Sequence, residues 1–207
     1  MKWFFRLIAG IFFLLGVTLA ANALSYINFD THYSFLKLKQ SAIETGWYLP
    51  AYYSHVLIAG IVLVIGFFQV SDKFRNRYLK VHRALGFIYV FGVLLFSAPG
   101  GMVMAFFINR GPMVLASFIL QCSLWFYFTY QAFAEIRKRN IENHQAMMYR
   151  SFSLTSAAIT LRVYIFFFSV EYNLAHPTAY ATLAWLSWVP NLIIAEYIIR
   201  RQKKLLA

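Results

Sequence analysis

Tyr52-Tyr53-Ser54-His55-Val56-Leu57-Ile58-Ala59-Gly60-Ile61-Val62-Leu63-Val64-Ile65-Gly66-Phe67-Phe68-Gln69-Val70 runs for nineteen residues without an Asp, Glu, Lys or Arg. At a rise of about 1.5 Å per residue, a helix of that length reaches across the roughly 30 Å hydrocarbon core of a bilayer. Five further runs of similar length and character surround it: Trp3 to Ala23 before it, then Leu85 to Phe107, Met113 to Phe133, Ser151 to Val170 and Thr178 to Ile198 after it. Turn and charge signals fall between the runs, as in Ser71-Asp72-Lys73, Asn109-Arg110-Gly111-Pro112 and Asn173 to Pro177. The expected fold is all-α: a polytopic transmembrane helical bundle of about six spanning helices, forming a single transmembrane domain over 1–207. Residues 24–51 make the longest connection, an outer loop that mixes Tyr, Phe and Leu with Lys37 and Lys39 and partly enters the membrane interface. Trp47, Tyr48, Tyr52 and Tyr53 read as anchors of the aromatic belt. No internal repeat is visible.

Composition agrees with a lipid environment. The chain is 61% hydrophobic and 20% aromatic, only 13% charged, and has a mean hydropathy of +0.60, which is far outside the range of soluble domains. A formal charge of +12 would otherwise suggest nucleic acid, but the basic residues cluster at the ends of apolar runs, where they meet lipid headgroups instead. A bilayer, and no nucleic acid, is the expected partner. Cys122 is the one cysteine and lies inside an apolar run, so a disulfide or cysteine-based metal site within one chain is excluded and a packing role remains.

Cationic loops are retained on the cytoplasmic side during insertion. With the N-terminus inside, the inner segments hold fifteen of the nineteen Lys and Arg: Lys2 and Arg6; Lys73, Arg75, Arg77, Lys80 and Arg83; Arg137, Lys138, Arg139 and Arg150; Arg200, Arg201, Lys203 and Lys204. The outer segments hold only Lys37, Lys39 and Arg110. Both termini are therefore expected in the cytoplasm. Residues 1–23 also read as a signal peptide, with Lys2 and Arg6 before an apolar core and Ala21-Asn22-Ala23 as a cleavage box. Its removal would leave five spans in the same orientation.

Ionisable side chains are costly within a bilayer, and those that persist tend to face the bundle interior as sites. Here they are His55 and Gln69 in the second span, His82 at the mouth of the third, His144 and Arg162 on the fifth, and Glu196 on the sixth, which pairs most simply with Arg200 one turn on. Gln121 and Asn191 read as interhelical hydrogen-bonders. His144 and Arg162 are eighteen residues apart, five whole turns and about 27 Å, so they project from one face. Met148, Ser151, Thr155 and Ala158 lie between them on the same stripe. That face is expected to point inward and, given its length, to carry two sites or a site and an anchor.

His82 and Gly86 stack one turn apart on the third helix, so glycine leaves clearance beside the imidazole for a flat macrocycle. His82 opens the third span and His144 the fifth, which puts both at the cytoplasmic end. Two imidazoles at matched depth on different helices suit the axial positions of a b-type haem. Arg83 and Arg150 would meet its propionates. His55 lies one turn inside the outer end of the second span, and Arg162 reaches toward the same side, forming an expected outer site for a quinone, a haem propionate or a carboxylate. His32 and His176, in outer loops, are candidate second ligands. The alternatives stay open: a histidine at a helix mouth also serves as an interfacial hydrogen-bonder, Arg162 also serves as a structural cap, and Pro99-Gly100-Gly101 is also a local helix break.

Val81-His82-Arg83-Ala84-Leu85-Gly86-Phe87-Ile88-Tyr89-Val90, then Ser97-Ala98-Pro99-Gly100-Gly101, then His144 through Met147-Met148 to Arg150-Ser151-Phe152, and finally Thr160-Leu161-Arg162 form a recognisable series. It resembles the domain of unknown function 2306 family, uncharacterised bacterial multi-pass membrane proteins, from about His55 to Arg162. The resemblance implies that His55, His82, His144, Arg150 and Arg162 are the polar signature positions and that the protein sits in the bacterial inner membrane; it implies no activity. The layout is also distantly similar to two-haem b-type membrane cytochromes, from which it departs in having only His55 within an outer half-span. The leading expectation is a membrane electron-transfer protein carrying haem b on His82 and His144, with quinone or a membrane protein as partner. A small solute transporter and a non-catalytic assembly or scaffold subunit are the rivals.

Overall fold

The computed structural model describes residues 2–168 and 177–206. Among the described residues the regular structure is helical, without strands, and comprises α1 (Lys2–Leu24), α2 (Gln40–Ile43), α3 (Tyr48–Gln69), α4 (Asp72–Arg77), α5 (Leu79–Phe91), α6 (Ala98–Phe106), α7 (Pro112–Arg137), α8 (Ile141–Thr155), α9 (Ala157–Phe168), α10 (Pro177–Leu186) and α11 (Val189–Leu206). Six segments are long and apolar enough to cross a membrane: Arg6–Asn28, Tyr48–Gln69, Leu79–Phe106, Pro112–Arg137, Ile141–Phe168 and Thr178–Lys203. Helices prevail because a bilayer offers no partner for backbone N–H and C=O groups, and a helix satisfies them within itself. The third span begins at Leu79 and the fifth at Ile141, six and ten residues ahead of their apolar runs, and His82 and His144 each stand fourth in their helix, in its first turn.

The single domain expected from the sequence is laid out as two compact units, 1–107 and 108–207. In the first, α3 is the central element and packs against α1 on one side and the third span on the other. Small residues set the closeness: a Cβ on Gly60 would stand 3.1 Å from Ala23 Cβ, the small-on-small contact by which membrane helices approach. The 25–47 connection is no open loop. It coils through 3₁₀ turns at Ser25–Asn28 and Ser34–Lys39 into α2, buries Leu36 completely, and packs Tyr26 against Tyr48 and Tyr52. Tyr48 and Tyr52, expected as interfacial anchors, are thus core residues at 1% and 3% exposure, whereas Trp47 is 75% exposed. Lys39 Nζ donates to the Phe107 carbonyl (2.8 Å) at the end of the third span, as a cation at a helix C-terminus should.

The second unit is an antiparallel α7–α8 hairpin joined by α10 and α11. Gly111 precedes α7 at φ 90°, a conformation costly for any residue with a Cβ, and Pro112 opens the helix where no N–H is needed. At the hairpin turn Glu135 accepts from Lys138 Nζ (3.1 Å), Asn140 Nδ2 (2.9 Å) and Asn143 Nδ2 (3.4 Å), and Asn140 Oδ1 caps α8 by accepting from Asn143 N. Two spans of this unit are interrupted, the fifth at Ser156 and the sixth at Ser187–Trp188.

Candidate functional site

In the first unit the third span is not a plain α-helix. Gly92–Ser97 winds as a π-helix between α5 and α6, just ahead of Pro99, which has no N–H to give to the ladder. Such segments need outside partners for their backbone. His55 supplies one: its Nδ1 lies 2.6 Å from the Ser97 carbonyl. A carbonyl can only accept, so Nδ1 carries the proton, and in the neutral ring the lone pair is then on Nε2. Gly100 makes this approach possible, because a Cβ there would lie 2.6 Å from Ser54 Oγ, 2.7 Å from the Ala51 carbonyl and 3.1 Å from the His55 amide nitrogen. The Pro-Gly-Gly break expected in the third span is therefore the place where the second span comes closest.

His82 is half-buried on the first turns of α5. Its carbonyl accepts from Gln69 Nε2 at 3.1 Å, and Gln69 is itself 8% exposed. The same amide fills the clearance beside Gly86, whose Cβ would meet Gln69 Oε1 at 3.3 Å. The room that the sequence assigned to a macrocycle at Gly86 is thus taken up, at least in part, by Gln69. Arg83 is exposed.

In the second unit His144 repeats the arrangement of His55. Its Nδ1 lies 2.8 Å from the Ala132 carbonyl of α7, so Nδ1 again carries a proton and the neutral ring has its lone pair on Nε2. Below it the expected inward stripe is real as far as Thr155. Met148, Ser151 and Thr155 are buried, and Ser151 Oγ shares a 2.7 Å hydrogen bond with Thr129 Oγ1 of α7. Beyond the interruption at Ser156 the stripe is lost: Arg162 is exposed, with Nη1 3.4 Å from the Ala158 carbonyl of its own helix. Asn191 Nδ2 donates across the interruption to Thr160 Oγ1 (2.9 Å) and also to the Ser187 carbonyl (3.1 Å), and Gln121 Nε2 reaches the Leu154 carbonyl (3.4 Å). Both amides are interhelical hydrogen-bonders.

Arg150 is the main revision. Its guanidinium grips Glu196 through Nε–Oε1 (2.5 Å) and Nη2–Oε2 (3.0 Å) and lies 5.8 Å from the centre of the Phe128 ring. The bidentate fork is used up on a carboxylate, so Glu196 pairs with Arg150 and not, as its spacing suggested, with Arg200. Lower on the same two helices Glu142 meets Lys203 (3.0 Å) and Gln202 Nε2 reaches Tyr149 Oη (3.1 Å).

The structure therefore brings together His55 with Ser97, His82 with Gln69, His144 with Ala132 and Arg150 with Glu196. His82 and His144 belong to different units, as do His55 and Arg162. His32 is exposed beside Asp30, whose Oδ1 accepts from its backbone N–H (2.8 Å), and His176 lies outside the described residues. Among the described residues no three His, Cys, Asp or Glu side chains converge on a metal-sized space.

The model of the predicted membrane protein family DUF2306 matches residues 52–199. The chain belongs to that family. The DUF2306 match takes in the second to sixth spans and extends past Arg162 to Glu196, so both partners of the Arg150–Glu196 pair lie inside it; α1 and the 25–47 cap precede it. No curated protein and no solved structure matches the chain.

Proposed function

We propose that this DUF2306 protein is a b-type haem-binding electron-transfer protein of the bacterial inner membrane, with both termini cytoplasmic. The supporting observation is the hold of a backbone carbonyl on Nδ1 of two imidazoles, His144 among the proposed axial ligands and His55 in the proposed outer site, which in the neutral ring leaves the lone pair on Nε2. Metal-ligating histidines are commonly oriented in this way, since the second-shell bond fixes the tautomer and raises the basicity of the ligating nitrogen. His144 in the second unit and His82 in the first are each proposed as an axial haem ligand, and His55 and Arg162 each as a group that meets a quinone or other anionic partner. Arg150 is held by Glu196, which removes it from the expected propionate role. Haem, when bound, supplies one-electron chemistry; the chain holds the ring nitrogens and keeps water away.

The test is the visible spectrum of the protein purified from haem-replete cells. A reducible Soret band that disappears in the His82→Ala, His144→Ala double variant is expected. A colourless protein would refute the reading.

One observation favours a second reading, a small solute transporter. Broken helices line many transporter sites, and interruptions occur in the third, fifth and sixth spans, where the sequence suggested only one. Solute uptake into proteoliposomes by colourless protein would establish it. A stable copurifying partner, with neither colour nor uptake, would instead indicate a scaffold subunit.

A further inference from the structure

Between Ser71 and Arg83 the chain carries Lys73, Arg75, Arg77, Lys80 and Arg83 against one acid, Asp72. Arg75 is held by Asp72 (2.9 Å), which leaves a net excess of four positive charges on α4 and the first turns of α5. Lys80 and Arg83 are exposed there. At 100° per residue, positions 80, 83, 84, 87 and 91 fall within about 100° of arc on one side of the helix. That side continues away from the cations as Ala84, Phe87 and Phe91, all exposed. The Phe87 and Phe91 rings stack 6.2 Å apart and within 9° of parallel, a flat apolar wall with a notch at Ala84. From Lys80 the wall extends about 10 to 16 Å along the helix axis.

We propose that this face is a selective binding site for one anionic phospholipid in the leaflet that the basic loop faces. Lys80 and Arg83 hold the headgroup phosphate, Lys73 and Arg77 add to the local field, and one acyl chain lies on Ala84, Phe87 and Phe91. A soluble anion would satisfy the cations and leave the aromatic wall unused, whereas a zwitterionic lipid would cover the wall and leave the excess charge uncompensated. An acidic lipid answers both at once. The inference does not depend on whether haem is bound.

Phe87→Trp serves as the reporter, read as the emission added to that of the five native tryptophans. The protein is placed in nanodiscs of equimolar phosphatidylcholine and phosphatidylglycerol with only one of the two lipids brominated. Brominated phosphatidylglycerol should quench the added emission more strongly than brominated phosphatidylcholine. Adding Lys80→Gln and Arg83→Gln should bring the two lipids to equality, with relative association falling about fivefold per charge removed. The charge-preserving pair Lys80→Arg and Arg83→Lys should keep the preference, which separates loss of charge from loss of fold. Phe106→Trp, a 68% exposed position at the other end of the third span, should show no preference. Equal quenching at position 87, a preference that survives removal of both charges, or the same preference at position 106 would each overturn the proposal.

Discussion

Gly100→Ala tests the contact on which the first unit is built. The added methyl would stand 2.7 Å from the Ala51 carbonyl and 3.1 Å from the His55 amide nitrogen, both backbone atoms of α3 that no rotamer change can move. To restore a carbon contact distance of roughly 3.5 Å, the helices must separate by about 0.8 Å at that level. Over-packing of this kind costs about 1–3 kcal/mol. The clash is with backbone atoms, so the upper part of that range, about 2–3 kcal/mol, applies; alanine returns up to about 1 kcal/mol of helix propensity, which leaves a net loss of about 1–2 kcal/mol. That corresponds to a fall of about 2–8 °C in apparent Tm for a chain of this size, measured by thermal unfolding in detergent. The separation would also strain the 2.6 Å His55–Ser97 bond, three residues away. Gly10→Ala is the control: nothing lies within 4 Å of its Cβ position, so the same substitution should leave Tm unchanged or slightly raised. An unchanged or raised Tm for Gly100→Ala would show that the second and third spans do not meet as closely as described.

Three further outcomes follow from the packing. Arg150→Met and Glu196→Gln should be coupled, with a double-mutant cycle on thermal stability giving about 0.5–3 kcal/mol; strict additivity would refute the pair. Thr129→Val removes the hydroxyl shared with Ser151 across α7 and α8 and should cost about 1 kcal/mol, the usual worth of an interhelical hydrogen bond in a membrane, read in the same assay; no loss would place those helices further apart. On a Cys122→Ser background, Lys37→Cys should react with an impermeant maleimide in intact cells and Lys73→Cys only after permeabilisation. The reverse pattern would invert the proposed topology.

Much of the fold is legible in the sequence because lipid imposes one simple rule on every span: enough apolar residues to cross and an internally satisfied backbone. The six spans follow from the runs around Tyr52 to Val70, although their ends do not. Asn140 and the Glu135 cluster carry α8 ten residues further than hydropathy alone would, because caps and side-chain hydrogen bonds stabilise helix beyond the apolar limit. The inward face of α8 was readable for the same reason a helix is regular: His144, Met148, Ser151 and Thr155 keep their phase. Arg162 did not, since the turn at Ser156 resets that phase and no periodicity announces it.

Other features depend on which helix lies beside which. Nothing in the spacing of Glu196 points to a partner forty-six residues earlier, and the i+4 neighbour Arg200 is the simpler guess until α8 and α11 are seen to pack. Tyr48 and Tyr52 carry the composition of an interfacial belt, yet the 25–47 segment folds over them and makes them core. The sequence by itself determined the solvent, the number of crossings and the short set of polar residues that lipid should exclude. Only the tertiary structure decided what those residues touch, because a helix's rotation about its own axis is set by its neighbours: it turned His55 toward Ser97, Gln69 into the space beside Gly86, and Arg150 onto Glu196.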